Sequence, residues 1–366
     1  MQKKQVAILD VGSSKITAMI GERGINKTFI IKSRNDFSYD GFLNGEFLNV
    51  EELKSVIANA TEFLNKSIAS LDVVYVGVPS AFTEIHVKES QISFPKKKKI
   101  TEEDIELLFD SAFVLTSQKH TLINRSAMSF ELNDYRRLPN PIGEISEILK
   151  GKLSFVLCAN SFIELIKSSI KLHSNAQIEF VSVPLAEIMY LLSSEERDRI
   201  AILLDVGYIS TSFSLVQGDG ILFQTSFDYG GGFITGAITE ALGVSFDVAE
   251  NLKRNVNLCK MDTGSFDLIH GSDGQLYNAE EIRKTIITSL DTLCEQISNA
   301  MEDSGFVIPE YVPIYVTGGG ICYLRGAREH LSNRLCSTVL ITKPLVPIND
   351  KPTDSSVLSI LDLIFN

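Results

Sequence analysis

The chain has 366 residues, 44% hydrophobic and 22% charged, enough to bury a core in two or three domains at roughly 100 to 200 residues each. Its 34 Lys and Arg against 46 Asp and Glu give a net charge of −12, which argues against a basic footprint for nucleic acid. Five scattered cysteines, never spaced C-x-x-C, argue against a disulfide framework or zinc knuckle and fit a reducing cytosol.

The first apolar run is broken by Asp10, too early for the core of a signal peptide, and no stretch of about 18 uncharged apolar residues exists. A soluble chain is expected. In chain order, residues 6–10, 16–20 and 28–33 are short β-rich runs separated by turn residues, and residues 50–68 carry helical spacing. Val73–Val78 is an apolar strand ending at Pro79, after which residues 81–94 read as more strand. Pro95 and four lysines at 96–99 then precede Thr101, placed to cap a helix with the acidic first turn Glu102, Glu103, Asp104. The lysine run is expected to be a solvated hairpin turn. Residues 82–165 read as an inserted module, with a loop at 138–143 and a returning strand at 153–159. Residues 162–172 are helix-like and 178–183 strand-like, and Pro184 suits the start of the next helix.

The opening pattern then recurs. Ala7-Ile8-Leu9-Asp10-Val11-Gly12 and Ile202-Leu203-Leu204-Asp205-Val206-Gly207 are near copies, which predicts two lobes carrying equivalent strand-turn-strand units. Each copy ends in a small or hydroxylic tail, Ser13-Ser14-Lys15 or Tyr208-Ile209-Ser210-Thr211. Tight hairpins of this kind aim backbone N–H groups at one point and form an anion nest, for which phosphate is the natural guest. Asp10 and Asp205 would be repelled by phosphate directly, but both can hold waters on a Mg²⁺ that neutralises it. Lys15 can reach a phosphate as a point charge. A third element, Ile314-Tyr315-Val316-Thr317-Gly318-Gly319-Gly320, is a buried strand breaking into three glycines, which let a flat ring or ribose approach the backbone; a helix is expected over 323–331. A fourth, residues 248–254, places Glu250 with Lys253 or Arg254 on one helical face, which alone is a surface ion pair. Ser245 is placed to cap that helix.

In this order the elements resemble the actin-like ATPase superfamily. Val78-Pro79-Ser80, the segment 99–105 and Asn140-Pro141-Ile142-Gly143 look like the 1C subdomain of bacterial FtsA, the cell-division actin homologue; Tyr229-Gly230-Gly231-Gly232-Phe233-Ile234-Thr235 and Val248-Ala249-Glu250-Asn251-Leu252-Lys253 are further FtsA-like phrases. The resemblance covers residues 6–363. It implies a two-lobed α/β fold with duplicated ribonuclease-H-like domains and a 1C (SHS2-like) insertion. The division implied is 1–81 and 166–198 for subdomain 1A, 82–165 for 1C, 199–227 and 303–343 for 2A, 228–302 for 2B, and 344–366 for a closing helix returning to 1A.

It further implies ATP and Mg²⁺ as cofactors, with Asp10 and Asp205 orienting the metal's waters and Gly12, Ser13, Ser14 and Lys15 holding phosphate. Gly207, Tyr208 and Ser210 form the second hairpin of the site, Gly231 lies in the FtsA-like glycine phrase, Gly318, Gly319 and Gly320 flank the adenosine, and Glu250 with Lys253 meets the ribose or base. The implied role is a cytoplasmic scaffold at the inner face of the membrane at the division site. Its partners are itself in filaments, the tail of tubulin-like FtsZ and other division proteins, with membrane contact indirect or through a tail absent from this chain.

Two departures bear on this, in the second phosphate pattern and in a chain that stops at the closing helix of residues 355–365, where FtsA proteins usually continue through a linker to a basic amphipathic membrane helix. The usual second phosphate pattern is Asp-x-Gly-Gly-Gly-Thr, whereas Tyr208 and Ile209 replace two glycines here; crowding at the γ-phosphate predicts weak or absent hydrolysis. No residue stands out to position an attacking water; Glu187, after the connecting proline, is the one candidate for it and otherwise reads as a solvated helix residue. The alternatives are a PilM-like adaptor of type IV pilus assembly, a nucleotide-binding pseudo-ATPase and a small-molecule kinase, the last lacking a signature for its aspartate base. The P-loop and nucleophile-elbow motifs are absent, and the five dispersed histidines give no ligand set.

Overall fold

A computed structural model describes residues 5–24, 28–113, 118–260, 267–346 and 349–365. The opening runs become Gln5–Val11, Lys15–Arg23 and Phe29–Ser38, an antiparallel meander. Val73–Val78 joins the first strand in parallel, and Gln177–Ser182 joins Val73–Val78. The first two strands are buried on both faces, so they read as apolar runs and not as alternation.

The second sheet repeats this layout. Ala201–Val206, Thr211–Gln217 and Gly220–Phe227 form the meander, followed outward by parallel Ile314–Thr317 and Val339–Ile341. The registers coincide: Asp10 faces Thr17 and Gly77, and Asp205 faces Ser212 and Thr317. Equivalent sheets therefore carry equivalent hairpins to one place between the lobes.

Helix Val50–Ser67, capped by Asn49 through the Glu52 amide at 3.1 Å, lays Leu53, Ile57, Ala60 and Leu64 on one face of the first sheet. Helix Asn160–Lys171 adds Phe162, Ile166 and Ile170 to the same core. The opposite face is covered by the closing helix Ser355–Phe365 together with Val183–Leu191. Packing there is so close that a Cβ on Gly21 would lie 2.3 Å from Leu361. In the second lobe, helix Ala279–Asp303 buries Ile282, Ile286, Leu290, Leu293 and Ile297 against Gly231–Leu242 and Phe246–Asn255.

Between Val73–Val78 and Gln177–Ser182 the chain builds an antiparallel sheet in the order Thr83–Lys99, Ile145–Ala159, His120–Leu132, Arg137–Leu138, covered on one face by helix Glu102–Ala112. Thr101 and Asp104 form a capping box at that helix. The unit docks on the second lobe: Ser154 donates to the Ile221 carbonyl at 2.9 Å, and a Cβ on Gly218, whose φ is +57°, would meet the Met128 carbonyl at 2.0 Å.

Two local expectations are corrected. The lysines at 96–99 do not make a hairpin turn; they end the edge strand Thr83–Lys99, where pairing jumps from Ser146↔Lys98 to Ile148↔Ser93 across a bulge containing Pro95. Proline, lysines and a bulge all block further pairing at an exposed edge. The helix expected from Tyr323 begins later, at Ala327–Leu335. Residues 321–326 instead close turns, Leu324 N to Ile321 O at 2.8 Å and Ala327 N to Leu324 O at 3.1 Å, and Gly326 enters the helix at φ +95°.

Among the described residues no single helix is long and apolar enough to cross a bilayer. The pair Gly231–Leu242 and Phe246–Asn255, bent by 109°, is long and apolar enough in sum, but it buries Ile234, Ile238, Ala249 and Leu252 in the second-lobe core.

Candidate functional site

Each repeated hairpin is closed by the same bond, Gly12 N to Lys15 O at 2.9 Å and Gly207 N to Ser210 O at 3.0 Å. Tyr39 pins the first turn, its hydroxyl donating to Gly12 O at 2.8 Å and its amide to Ser14 O at 3.2 Å. The second is pinned from behind by the amides of Gly231, Gly232 and Gly320, which donate to Gly207 O, Tyr208 O and Val206 O at 2.9, 2.7 and 2.7 Å.

Between the hairpins lies a cavity of about 320 Å³. Asp10, Gly12, Ser13, Ser14 and Lys15 line one wall, and Asp205, Gly207, Tyr208 and Ser210 the other. Gly318 and Gly319 close one end, and Glu187 also reaches the cavity.

Glu187 is not solvated as expected but 1% exposed. It lies on Val183–Leu191, which is wedged between the sheets and buried from Val183 through Ile188. Its Oε1 has no hydrogen-bond partner. Burial pushes the Glu187 carboxyl up, and the charges of Asp205 and Asp10 push it further. Asp205 is raised by burial and by Asp10. Asp10 is raised by burial, although Ser356 donates to it and Lys15 lies near. Three carboxyls facing one cavity, two buried and Asp205 half-buried, repel one another unless protonated or joined by a cation. Among the described residues no three His, Cys, Asp or Glu side chains are placed to ligate a metal directly. Carboxylate oxygens of this kind suit a hard cation, and the Glu187 Oε1 has no partner of its own.

Lys15 bonds Asp36 Oδ2 at 2.5 Å. Thr17 donates to the same carboxylate at 2.9 Å, and Arg34 bridges it to Asp354, the latter at 2.6 Å. Burial raises the Asp36 carboxyl, but Lys15 and Arg34 outweigh it and hold it below its ordinary value. The closing helix supplies the far side of this network, with Ser355 bonded to Thr317 at 2.6 Å and Ser356 to Asp10. Sequence reasoning missed Arg34, Asp36, Ser355 and Ser356. The first two sit two residues apart in one strand and so share a face, but nothing marked the third strand as part of the site.

The glycines and the acidic–basic pair form a layer behind the cavity. Gly318 has φ +90°, and a Cβ there would lie 2.2 Å from Asp205 Oδ1; on Gly320 it would lie 2.4 Å from Gly207 O, and on Gly231 2.6 Å from Gly320 O. The close approach that Gly318 and Gly320 permit is to the chain's own second hairpin, and that of Gly231 is to Gly320. Lys253, expected at a ribose or base, is 1% exposed and donates to Gly231 O and Thr235 Oγ1, each at 2.7 Å, while pairing with Glu250. Burial lowers the Lys253 amine, with Glu250 opposing the shift. Glu250 also accepts from Thr235 and Arg254. Arg254 is the member of this helix that lines the cavity, its guanidinium over the Tyr323 ring at 4.6 Å. The Tyr208 ring turns toward Phe246, 6.2 Å between centroids.

The lobes also touch across the cleft. Ile209 N donates to Ser13 Oγ at 3.2 Å, and Asn44 N to Asp228 Oδ2 at 2.7 Å.

Among solved structures, a PilM–PilN type IV pilus biogenesis complex matches with a TM-score of 0.66 at 16% identity, covering 99% of both chains. MreB 5 of Spiroplasma citri bound to AMPPNP matches at 0.55 and 12% identity, covering 100% of this chain and 97% of that one. The fold is actin-like. By sequence the chain is similar to FtsA cell-division proteins: 22% identical over 306 residues to that of Streptococcus pneumoniae serotype 2, covering 80% of this chain and 66% of that protein. The FtsA of Borreliella burgdorferi is 22% identical over 334 residues, covering 88% and 81%. That of Staphylococcus epidermidis is 20% identical over 376 aligned positions, covering 98% and 78%. The family described as type IV pilus assembly protein PilM matches residues 174–264.

Proposed function

We propose that the protein is an FtsA-like scaffold that binds ATP with Mg²⁺ between its lobes, assembles with copies of itself and links division proteins to the membrane. The observation that carries this is the pair of in-register Asp-Val-Gly hairpins facing one cavity, with buried Asp10 and Glu187 and half-buried Asp205 beside it.

In this reading Gly12, Ser13, Ser14 and Lys15 bind phosphate, and Lys15 reaches it by leaving Asp36. Asp10 and Asp205 orient the waters of the metal, and Glu187 takes one more water through its unpaired oxygen. Gly318 and Gly319 flank the nucleoside, with Arg254 at the same end; Lys253 and Glu250 hold that end in shape from behind. Bound Mg²⁺ supplies charge neutralisation at the phosphate oxygens. Tyr208 and Ile209 crowd the second hairpin, so hydrolysis is slow and the nucleotide acts as a ligand that favours closed lobes. Partners are a second copy, the FtsZ tail and other division proteins, and the place of action is the cytoplasmic face of the membrane.

Titration calorimetry with ATP, with and without Mg²⁺, followed by pelleting and negative-stain microscopy of the same sample, tests this. Mg²⁺-dependent binding with filaments supports the scaffold; no binding removes it.

A PilM-like adaptor is the second reading. It is favoured by a structural match that spans 99% of both chains and by the family match at 174–264. Binding to a short cytoplasmic peptide of a PilN-type protein, with none to an FtsZ tail, would select it.

A further inference from the structure

We propose that Ser356 is a positioning residue for the metal, one that sets the Asp10 carboxylate in place and so couples Mg²⁺ binding to the seating of the closing helix. This rests on the nucleotide reading and adds to it a residue, far away in sequence, on which the metal site depends.

Ser356 lines the cavity, and its side-chain hydroxyl donates to Asp10 Oδ2 at 2.5 Å. The two residues are 346 positions apart, so this bond exists only while the closing helix is seated on the first sheet. A hydroxyl donating to a carboxylate makes a charge-assisted bond, which fixes the orientation of the acceptor as well as favouring its charge. The other oxygen of Asp10 lies beside Gly77, where an added Cβ would come within 3.0 Å of Oδ1 and 2.6 Å of Ile360 Cδ1. The closing helix thus bonds one oxygen of Asp10 and packs Ile360 on the glycine beside the other.

The hydroxyl is itself held. Each of the three residues before it is tied to a different part of the cleft: Thr353 packs at Gly319, where a Cβ would lie 2.8 Å from its Cγ2, Asp354 accepts from Arg34 at 2.6 Å, and Ser355 bonds Thr317 at 2.6 Å. Asp354 and Ser355 are buried, and Val357 and Leu358 directly after Ser356 are buried in the first lobe. A group orients a metal-holding side chain only as firmly as its own neighbours lock it, and Ser356 is locked on both sides. Ser355 differs in that its partner is a threonine hydroxyl and not a carboxylate. A ligand that engages Asp10 in the orientation Ser356 gives it favours the seated helix, and by linkage the seated helix favours the ligand.

The test is calorimetry of the full chain with ATP over a series of Mg²⁺ concentrations, for wild type, Ser356→Ala, Ser356→Thr and Ser355→Ala. Deuterium uptake of residues 352–362 is read on the same proteins with and without Mg²⁺-ATP. Ser356→Ala is expected to raise the Mg²⁺ concentration giving half of the full binding by about tenfold, and to lose more ATP affinity with Mg²⁺ present than without it. Ser356→Thr, which keeps the hydroxyl, is expected to restore the wild-type Mg²⁺ response, and Ser355→Ala to shift it less than Ser356→Ala does. Mg²⁺-ATP is expected to slow uptake across residues 352–362 in wild type, with that protection reduced in Ser356→Ala. An unchanged Mg²⁺ response in Ser356→Ala overturns the proposal, as does an equal loss of ATP affinity with and without Mg²⁺, which marks a merely structural serine. Uptake that Mg²⁺-ATP leaves unchanged in wild type overturns the coupling to the helix. If wild type binds no ATP, the nucleotide reading falls and the role of Ser356 with it. If wild type binds ATP with Mg²⁺ and Ser356→Ala responds alike, the nucleotide reading stands and only the role of Ser356 is lost.

Discussion

Asp205 shows how one carboxylate ties stability to ligand. Its folded pKa is raised by burial and by Asp10, so its ionisation opposes folding: the contribution is favourable below the unfolded carboxylate range, about 4, and is lost as pH rises through the raised value. Asp10 and Glu187 shift in the same direction. The ligand-free protein is therefore expected to melt at a lower temperature at pH 8 than at pH 6 as far as these groups decide it. Asp205→Asn should raise the pH 8 melting temperature while weakening Mg²⁺-nucleotide binding. A fall in melting temperature together with unchanged binding would contradict the role given to the aspartate. Lys253 is buried with hydrogen-bond and ionic partners. Lys253→Met should cost about 2 kcal/mol, since Gly231 O and half-buried Glu250 each lose the ammonium as a donor while keeping Thr235; urea denaturation measures this. Gly318→Ala places a Cβ 2.2 Å from Asp205 Oδ1 at φ +90° and should cost about 2 kcal/mol or more by the same measurement.

At the scale of elements, the duplicated hairpins were legible because both the aspartate and the glycine recur with the strand around them. The surroundings were less so. Glu187 looks like any helical glutamate until the helix carrying it is placed between two sheets. Lys253 and Arg254 are adjacent on one helix, and only the turn of that helix against Tyr323 decides which of them meets the cavity. The lysine run illustrates a different limit: composition reads as a turn, whereas register against residues 145–148 makes it a bulged edge. Removing the bulge by deleting Pro95, Lys96 and Lys97 is expected to leave a flatter edge strand and to promote self-association, seen as an earlier elution in size-exclusion chromatography. An unchanged elution volume would mean that the lysines do not guard that edge.

For the whole molecule, the matching strand order of the two sheets, and the inserted unit between two strands of the first, account for why similarity to actin-like proteins extends along nearly the whole chain at low identity. The sheets have to superpose, but the connections do not. The inserted unit bonds to the second lobe through Ser154 and packs Met128 into its core, so it acts as a strut between lobes as well as an outward surface. Met128→Ala is expected to destabilise the chain by about 2 kcal/mol or more.

The closing helix carries a consequence for how the protein is made. Val357, Leu358, Ile360 and Leu361 cover Val6, Ile8 and Met19 of the first strands beside Val183 and Ala186, so one face of the first lobe stays partly bare until residues 355–365 have left the ribosome. During synthesis the second lobe has every segment of its own sheet first, and the lobe begun earliest is completed last. The nascent first half thus offers a sticky apolar face throughout translation of the second, which is where a chaperone would be needed.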